Sequence, residues 1–218
     1  MRKLLIVRPE PGASLSAERA RILGLDPTVR PLFAIEPVEW TPPDPARFDA
    51  LLLTSANAAR HAGAGLTNLA TLPVIAVGGA SAQAAREAGL TVTEVGTGDV
   101  QSVLSTLPAD WRLLHLGGEH RRQIDREGSD AIIVYRAVTI ADPQLPNVSD
   151  MVVAVHSPRA GKRFAELIVN RGRTSIAAIS EAAACACCHG WRDLSWASVP
   201  GDEALLALAA RLCQSPAS

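Results

Sequence analysis

The feature that most constrains the fold is an internal repeat. Two stretches, "LLLTSANAAR" from Leu51 and "VVAVHSPRAG" from Val152, have the same form, and each is followed by matching segments. A constant offset with the same order of elements indicates a duplicated βαβαβα unit; the alternative is that unrelated α/β units resemble each other. The aligned pairs are Ser55 with Ser157, Val77 with Ile179, Gly78 with Ser180 and Ser81 with Ala183, all 102 residues apart, then Gly89 with Gly190 at 101.

Short apolar runs alternate with helical patterns along the whole chain. Runs such as "PVIAVG" and "MVVAVHS" are separated by helix-forming stretches such as "SAQAAREAGL". Continuous apolar strands separated by helices are typical of parallel sheets that are covered on both faces. The sequence therefore predicts an α/β fold with parallel sheets.

Two longer, proline-punctuated segments break this rhythm and predict two domains. They begin at Arg30 and at Ile132. We interpret residues 30–40 and 132–141 as linker strands that form a two-stranded antiparallel β linker. Residues 1–36 with 141–218 would then form a discontinuous α/β domain, and residues 40–133 a similar, inserted one.

Composition and charge exclude several classes of protein. The net charge is −1, from 21 basic and 22 acidic side chains, which argues against a general nucleic-acid surface. No apolar run approaches the roughly 18 residues that span a bilayer. The first apolar run, Leu4 to Val7, is shorter than the core of a secretion signal. We expect a cytoplasmic protein that binds neither nucleic acid nor membrane.

Three of the four cysteines form a pattern that needs an interpretation. Cys185 to His189 reads "CACCH" and formally matches the C-x-x-C-H motif of covalent haem attachment. No export signal accompanies it, and the surrounding run predicts a small-residue helix. We expect packed thiols and no metal site, and keep a c-type haem protein as an alternative.

The repeated strand ends are the candidate binding sites. In open parallel sheets, ligands bind beyond the carboxyl ends of the strands, where helix N-termini attract anions. Ser55 and Ser157 are predicted N-caps, and Pro158 suits a first helical position; on the alternative interpretation these serines only cap helices. Basic residues near such ends favour a ligand with several negative groups: Arg8, Arg60, His61, His120, Arg121, Arg122, Arg159, Lys162 and Arg163. If the two domains face each other, both strand ends would border one cleft.

Common catalytic motifs are missing from the sequence. It has no G-x-S-x-G, no H-E-x-x-H and no carboxylate cluster with metal-ligand spacing. His115, His156 and His189 lie in apolar or small-residue runs, where packing is the expected role. Tyr135, the single tyrosine, lies on the second linker segment and is placed to donate a hydrogen bond or a proton.

Five segments together resemble the uroporphyrinogen-III synthase family. They are "LLIVRPEPGA", "LLLTSANAAR", "PVIAVGGASAQAAREAG", "VYRAV" and "VVAVHSPRAGKRFAEL", in that order over nearly the whole chain. The resemblance implies two α/β domains joined by a β linker. It also implies a lyase of tetrapyrrole and haem biosynthesis that needs no cofactor and no metal. Its substrate would be hydroxymethylbilane, which it dehydrates and closes into uroporphyrinogen III with ring D inverted.

The resemblance also implies site residues. Tyr135 would assist departure of the substrate hydroxyl. We expect a monomer that contacts the preceding enzyme of the pathway only transiently. The residues implied to bind substrate are Thr54, Ser55, Ala56, Asn57, Gly78, Ser81, Ser157, Pro158, Arg159 and Ser180. Arg8, a basic residue after the first strand, completes the predicted substrate site.

The sequence departs from the family pattern in two places. Ser180 and Ala183 stand where the family has a glycine and a threonine, so Ala183 is left out of the predicted site. The segment before Tyr135 is short, which predicts a trimmed or irregular helix there. A non-catalytic two-domain module that binds a small polyanion or a nucleotide stays open as a rival function.

Overall fold

The computed structural model describes residues 1–97, 99–120, 123–124 and 126–214. Short helices alternate with strands, as the sequence predicts. The strands are β1 (Leu4–Ile6), β2 (Pro27–Val29), β3 (Phe33–Pro37), β4 (Ala50–Leu53), β5 (Val74–Ala76), β6 (Val92–Val95), β7 (Leu113–Gly118), β8 (Asp130–Thr139), β9 (Val152–Val155), β10 (Ser175–Ala178) and β11 (Asp193–Trp196). The α-helices are α1 (Gly12–Ile22), α2 (Ala56–His61), α3 (Gly79–Glu87), α4 (Val100–Thr106), α5 (Pro158–Leu167), α6 (Glu181–Ala186) and α7 (Asp202–Gln214).

The chain forms two compact units, and the first is discontinuous. It contains Met1–Ala34 and Thr139–Ser218. Its five strands are ordered β11-β10-β9-β1-β2, and all four neighbouring pairs are parallel. The residues of β1, β9 and β10 are buried throughout, which explains their continuous apolar runs. A buried cluster from β1, β9, β10, α1 and α7 forms the core on one face of this sheet.

The second unit is Ile35–Val138. Its strands belong to a six-stranded sheet with the order β3-β8-β7-β4-β5-β6, in which β8 through β6 are parallel. The edge strand β3 runs the other way. The Val38 N–H donates to the Val134 carbonyl and the Ile140 N–H to the Leu32 carbonyl, a pattern that only antiparallel segments give.

Strands that the repeat aligns occupy the same places in both sheets. The series β4-β5-β6 of the second unit corresponds to β9-β10-β11 of the first, in the same order. The strand on the other side of β4 is β7, whereas β1 holds that place beside β9. The structure is thus an α/β fold with a parallel and a mixed sheet.

Three local features differ from the simple alternation predicted from sequence. The strand β2 was missed, because "DPTVRP" contains two prolines and its residues are only half buried. The stretch Gly63–Leu69 is a 3-10 helix. Among the described residues between β7 and β8, where the sequence predicts a trimmed or irregular helix, the structure has no helix.

Helices α5 and α6 approach each other closely at Gly161. A Cβ atom at this position would lie 2.7 Å from the Ala183 carbonyl oxygen and 2.8 Å from the Cys187 sulfur. Because one of these neighbours is backbone, an added methyl group would force the two helices apart.

Gly161→Ala is therefore expected to destabilise the protein. The cost should be about 1–3 kcal/mol, the usual price of overpacking, and would appear as a lower urea midpoint. Gly172→Ala is the control, since a Cβ there meets nothing within 4 Å. Equal midpoints for the two variants would contradict the close approach.

Candidate functional site

The carboxyl end of β4 carries two hydroxyl residues with different roles. Thr54 Oγ1 shares a 2.9 Å hydrogen bond with Nε2 of His115, a buried residue of β7. Ser55 is the N-cap of α2, and its Oγ accepts from the Asn57 N–H at 3.2 Å. A serine hydroxyl that accepts one hydrogen bond keeps its own proton for donation. Ser55 thus suits an anion at this edge, whereas Thr54 is tied to the neighbouring strand.

The next strand, β5, ends at a glycine turn. Gly78 is the N-cap of α3, and its carbonyl accepts from the N–H groups of Ser81 and Ala82. Gly78 is half buried, whereas Ser81 is buried at 6% exposure. Of these two predicted substrate contacts, only Gly78 lies at the accessible edge.

Tyr135 lies on β8, beside the end of β7. It pairs with Gly118, the last residue of β7, and packs half buried against a core cluster that includes Leu53 and Ala58. The ring of His61 lies 6.4 Å from the Tyr135 ring, centroid to centroid. Burial, with a smaller contribution from the Arg60 charge, lowers the pKa of His61 and favours a neutral imidazole. Within the second unit, Tyr135 therefore belongs to the same sheet edge as Ser55.

The first unit repeats the arrangement at β9 and β10. Ser157 caps α5 and accepts from the Ala160 N–H at 3.1 Å, and Pro158 follows at the first helical position. Ser180 caps α6 and accepts from the Ala183 N–H at 3.3 Å. The N-cap prediction for Ser55 and Ser157 is therefore confirmed, and Ser180 is a third cap. The Arg159 guanidinium lies over the Phe33 ring, 4.4 Å from its centroid.

A carboxylate that the sequence analysis missed organises this end of the first unit. Asp202 begins α7, and its side chain is 13% exposed. Its Oδ1 accepts from Ser16 Oγ at 2.6 Å and from His156 Nε2 at 2.8 Å. Arg8 lies 3.3 Å from Oδ1, and Arg19 donates to Oδ2 at 2.7 Å. We call these five residues the Asp202 cluster.

The Asp202 cluster also explains the protonation of its members. Burial disfavours the ionised Asp202, but hydrogen bonds from His156, Ser16 and Arg19 outweigh that cost and hold its pKa well below the ordinary value. Burial is the main cause that lowers the pKa of His156, against the favourable contact with Asp202. His156, for which the sequence predicts a packing role, also hydrogen-bonds to Asp202. Arg8, a predicted substrate contact, forms an ion pair with the same carboxylate.

The structure brings together only some of the predicted basic residues. Arg8 joins the Asp202 cluster, whereas Arg163 lies beside Glu166 at 3.6 Å. Arg121 and Arg122 lie outside the described residues. The signals for the cluster were present in the sequence, since Asp202 follows a glycine at a helix start and His156 immediately precedes the cap Ser157.

The cysteine pattern forms no metal centre in the part of the chain that the structure describes. All four cysteines are free; Cys187 and Cys213 are buried, and Cys185 and Cys188 are exposed. The expectation of packed thiols is therefore wrong for Cys185 and Cys188. Among the described residues, no three His, Cys, Asp or Glu side chains are placed to hold a metal ion.

Within the described ranges, no helix has both the length and the apolar character needed to cross a bilayer. The longest, α7, has 13 residues.

Comparisons with known proteins agree on one family. The family HEM4, described as uroporphyrinogen-III synthase HemD, matches residues 14–207. The structure is similar to that of uroporphyrinogen-III synthetase from Helicobacter pylori, with a TM-score of 0.68 and 17% identity over 97% of this chain and 100% of that chain. It is also similar to a mutant uroporphyrinogen III synthase from Thermus thermophilus, with a TM-score of 0.54 and 19% identity over 97% and 99% of the two chains. No curated protein matches the sequence.

The Asp202 cluster predicts a specific loss of stability in acid. A carboxyl whose pKa is lower in the folded than in the unfolded state stabilises the fold above the unfolded pKa, near 3.9, and this stabilisation is lost as the pH falls through the folded pKa. Asp202→Asn should lower the free energy of unfolding at pH 7 by about 1–3 kcal/mol, because it weakens buried charged hydrogen bonds. It should also flatten the decline of stability below about pH 4.

Urea unfolding at several pH values measures both effects. Asp26→Asn is the matched control, because Asp26 is 69% exposed and lies 3.9 Å from an equally exposed Lys3; its loss should change little. An acid limb as steep in Asp202→Asn as in the unchanged protein would contradict the assignment.

Proposed function

This chain belongs to the uroporphyrinogen-III synthase family, and we propose that it acts as a lyase on hydroxymethylbilane. The reaction releases one water molecule and closes the linear tetrapyrrole into uroporphyrinogen III. The family match covers residues 14–207, which include the whole of the second unit and most of the first.

The proposed reaction needs a shaped site more than a strong nucleophile. Loss of the hydroxymethyl oxygen as water, assisted by the pyrrole nitrogen, leaves an electrophilic azafulvene. The substituted carbon of ring D attacks it to give a spiro intermediate, whose fragmentation and reclosure invert that ring. Without the enzyme the chain closes uninverted to isomer I, so the protein must hold one geometry through the sequence.

The observation that carries the proposal is the chemistry of the carboxyl edges. Ser55, Ser157 and Ser180 place hydroxyls and first-turn N–H groups there, donors that suit the carboxylates of the substrate. Arg8 adds a charge that Asp202 holds in place. The proposed substrate-binding residues are Arg8, Thr54, Ser55, Ala56, Asn57, Gly78, Ser81, Ser157, Pro158, Arg159 and Ser180. Ser81, which is buried, contributes through the turn that it stabilises rather than through its hydroxyl.

Tyr135 is the proposed general acid. Its phenol carries an O–H group that can donate a hydrogen bond. Donation to the leaving hydroxyl would neutralise the charge that develops on that oxygen. Burial lowers the pKa of the His61 imidazole beside it, which disfavours a positive charge next to the phenol.

We further infer that the two units are domains derived by duplication. The aligned positions of β4-β5-β6 and β9-β10-β11 support this inference. On this view β3 and the second half of β8 form the β linker, because the chain passes between units within Phe33–Pro37 and Asp130–Thr139.

The product isomer tests the proposed function. Hydroxymethylbilane is incubated with the protein, and the oxidised porphyrins are separated by isomer. We expect isomer III in large excess over isomer I. A non-catalytic module that binds polyanions would leave isomer I as the product, as in the control without protein, and that result would refute the proposal.

Tyr135→Phe is expected to lower kcat by roughly ten- to a hundredfold, within or below the usual contribution of a general acid. KM should change little, because the ring remains. Trp196→Phe is the control, as Trp196 is exposed on β11 and has no proposed role. A kcat equal to that of the unchanged protein would show that positioning alone drives the reaction.

A further inference from the structure

The ring of Tyr135 occupies space that a side chain at residue 118 would need. A Cβ atom built on Gly118 would lie 2.6 Å from Cζ of Tyr135, 2.7 Å from Cε2 and 2.9 Å from the hydroxyl oxygen. All three distances are shorter than contacts that real Cβ atoms make. The ring therefore lies directly against the backbone at the end of β7.

Backbone conformation gives no separate reason for this glycine. Five glycines of the described chain have a positive φ, and Gly118 is not among them. A glycine within a strand weakens the strand and often marks a close approach. Contact with Tyr135 is the feature that accounts for Gly118.

The backbone on both sides of this contact is held in place. The Glu119 N–H donates to the Tyr135 carbonyl at 3.0 Å, which fixes the backbone of both strands locally. The register of β7 and β8 shifts between Gly117 and Gly118, so that Gly118 comes to face Tyr135. The tilted His61 ring contacts the phenol at 6.4 Å between centroids.

We propose that Gly118 is a positioning residue, which sets the place of the Tyr135 hydroxyl by leaving its own side-chain space to the ring. The hydroxyl thereby lies at the end of β7, the strand that pairs with β4. Any larger residue at 118 displaces the phenol from this edge. The consequence for catalysis rests on the proposed function, whereas the positioning itself does not.

The single tyrosine of the chain gives a direct readout. With tyrosine carbon-13-labelled in the ring, the spectrum contains the ring signals of Tyr135 alone. Gly118→Ala should shift these signals, and Gly172→Ala, which adds a methyl group in open space, should leave them in place. Unchanged ring signals in Gly118→Ala would overturn the proposal.

Kinetics then separate the two claims. Gly118→Ala should lower kcat by roughly ten- to a hundredfold, as Tyr135→Phe does, with KM little changed. The double variant should be no slower than Tyr135→Phe. Shifted ring signals with an unchanged kcat would uphold the positioning and refute the catalytic role of Tyr135, while isomer III would still be formed.

A stability cycle keeps the proposal testable if Gly118→Ala folds poorly. Urea unfolding measures how much Gly118→Ala lowers the free energy of unfolding, first in the unchanged protein and then in Tyr135→Ala. Removing the ring should remove most of the cost, because the clash is with the ring. An equal cost in both backgrounds would place the strain elsewhere and would contradict the proposal.

Discussion

Parallel strand pairing is the constraint on which both units depend. Strands that run in one direction deliver all their carboxyl ends, and the helices that follow, to a single edge of the sheet. In the first unit, every neighbouring pair is parallel, so Arg8, Ser157 and Ser180 follow strands at one edge. In the second unit, the same pairing gathers Ser55, Gly78 and Gly118. The candidate binding residues of each unit therefore lie at the carboxyl ends of its strands.

At these edges some polar side chains bond to neighbouring protein groups, and others keep a donor for a ligand. The residue before each repeated cap is turned to its neighbours: Thr54 to His115, and His156 to Asp202. The cap that follows, Ser55 or Ser157, holds a first-turn N–H and keeps a hydroxyl proton to donate. Buried polar atoms are costly unless they are hydrogen-bonded, so the inward contacts stabilise the edge that we propose binds substrate. Asp202 also forms an ion pair with Arg8 and so holds that side chain at the same edge.

The alternation of apolar and helical stretches was enough to predict the α/β class, and the repeat identified which strand ends would carry capped helices. Those features follow from local pattern, which a sequence displays directly. Ser55 and Ser157 were recognisable because an N-cap needs a hydroxyl at one position just before a helix.

The contacts that the sequence could not predict are those between distant residues. Ser16, His156 and Asp202 are far apart in the chain and meet only because α1, β9 and α7 adjoin β1 or one another. The reason for Gly118 is also a distant residue, because the ring of Tyr135, seventeen positions later, occupies the space that a side chain would need. The burial of Ser81 and the exposure of Cys185 depend on how their helices pack. The alanine-rich sequence around each residue does not indicate which face of the helix is buried.

A structure of the protein with uroporphyrinogen III bound tests the central claim most directly. The account predicts product carboxylates within hydrogen-bond distance of Ser55 or Ser157 and of the first turn that this serine caps, with the Tyr135 hydroxyl facing the macrocycle. Product carboxylates held at the amino ends of the strands, or held without contact to either serine, would contradict it.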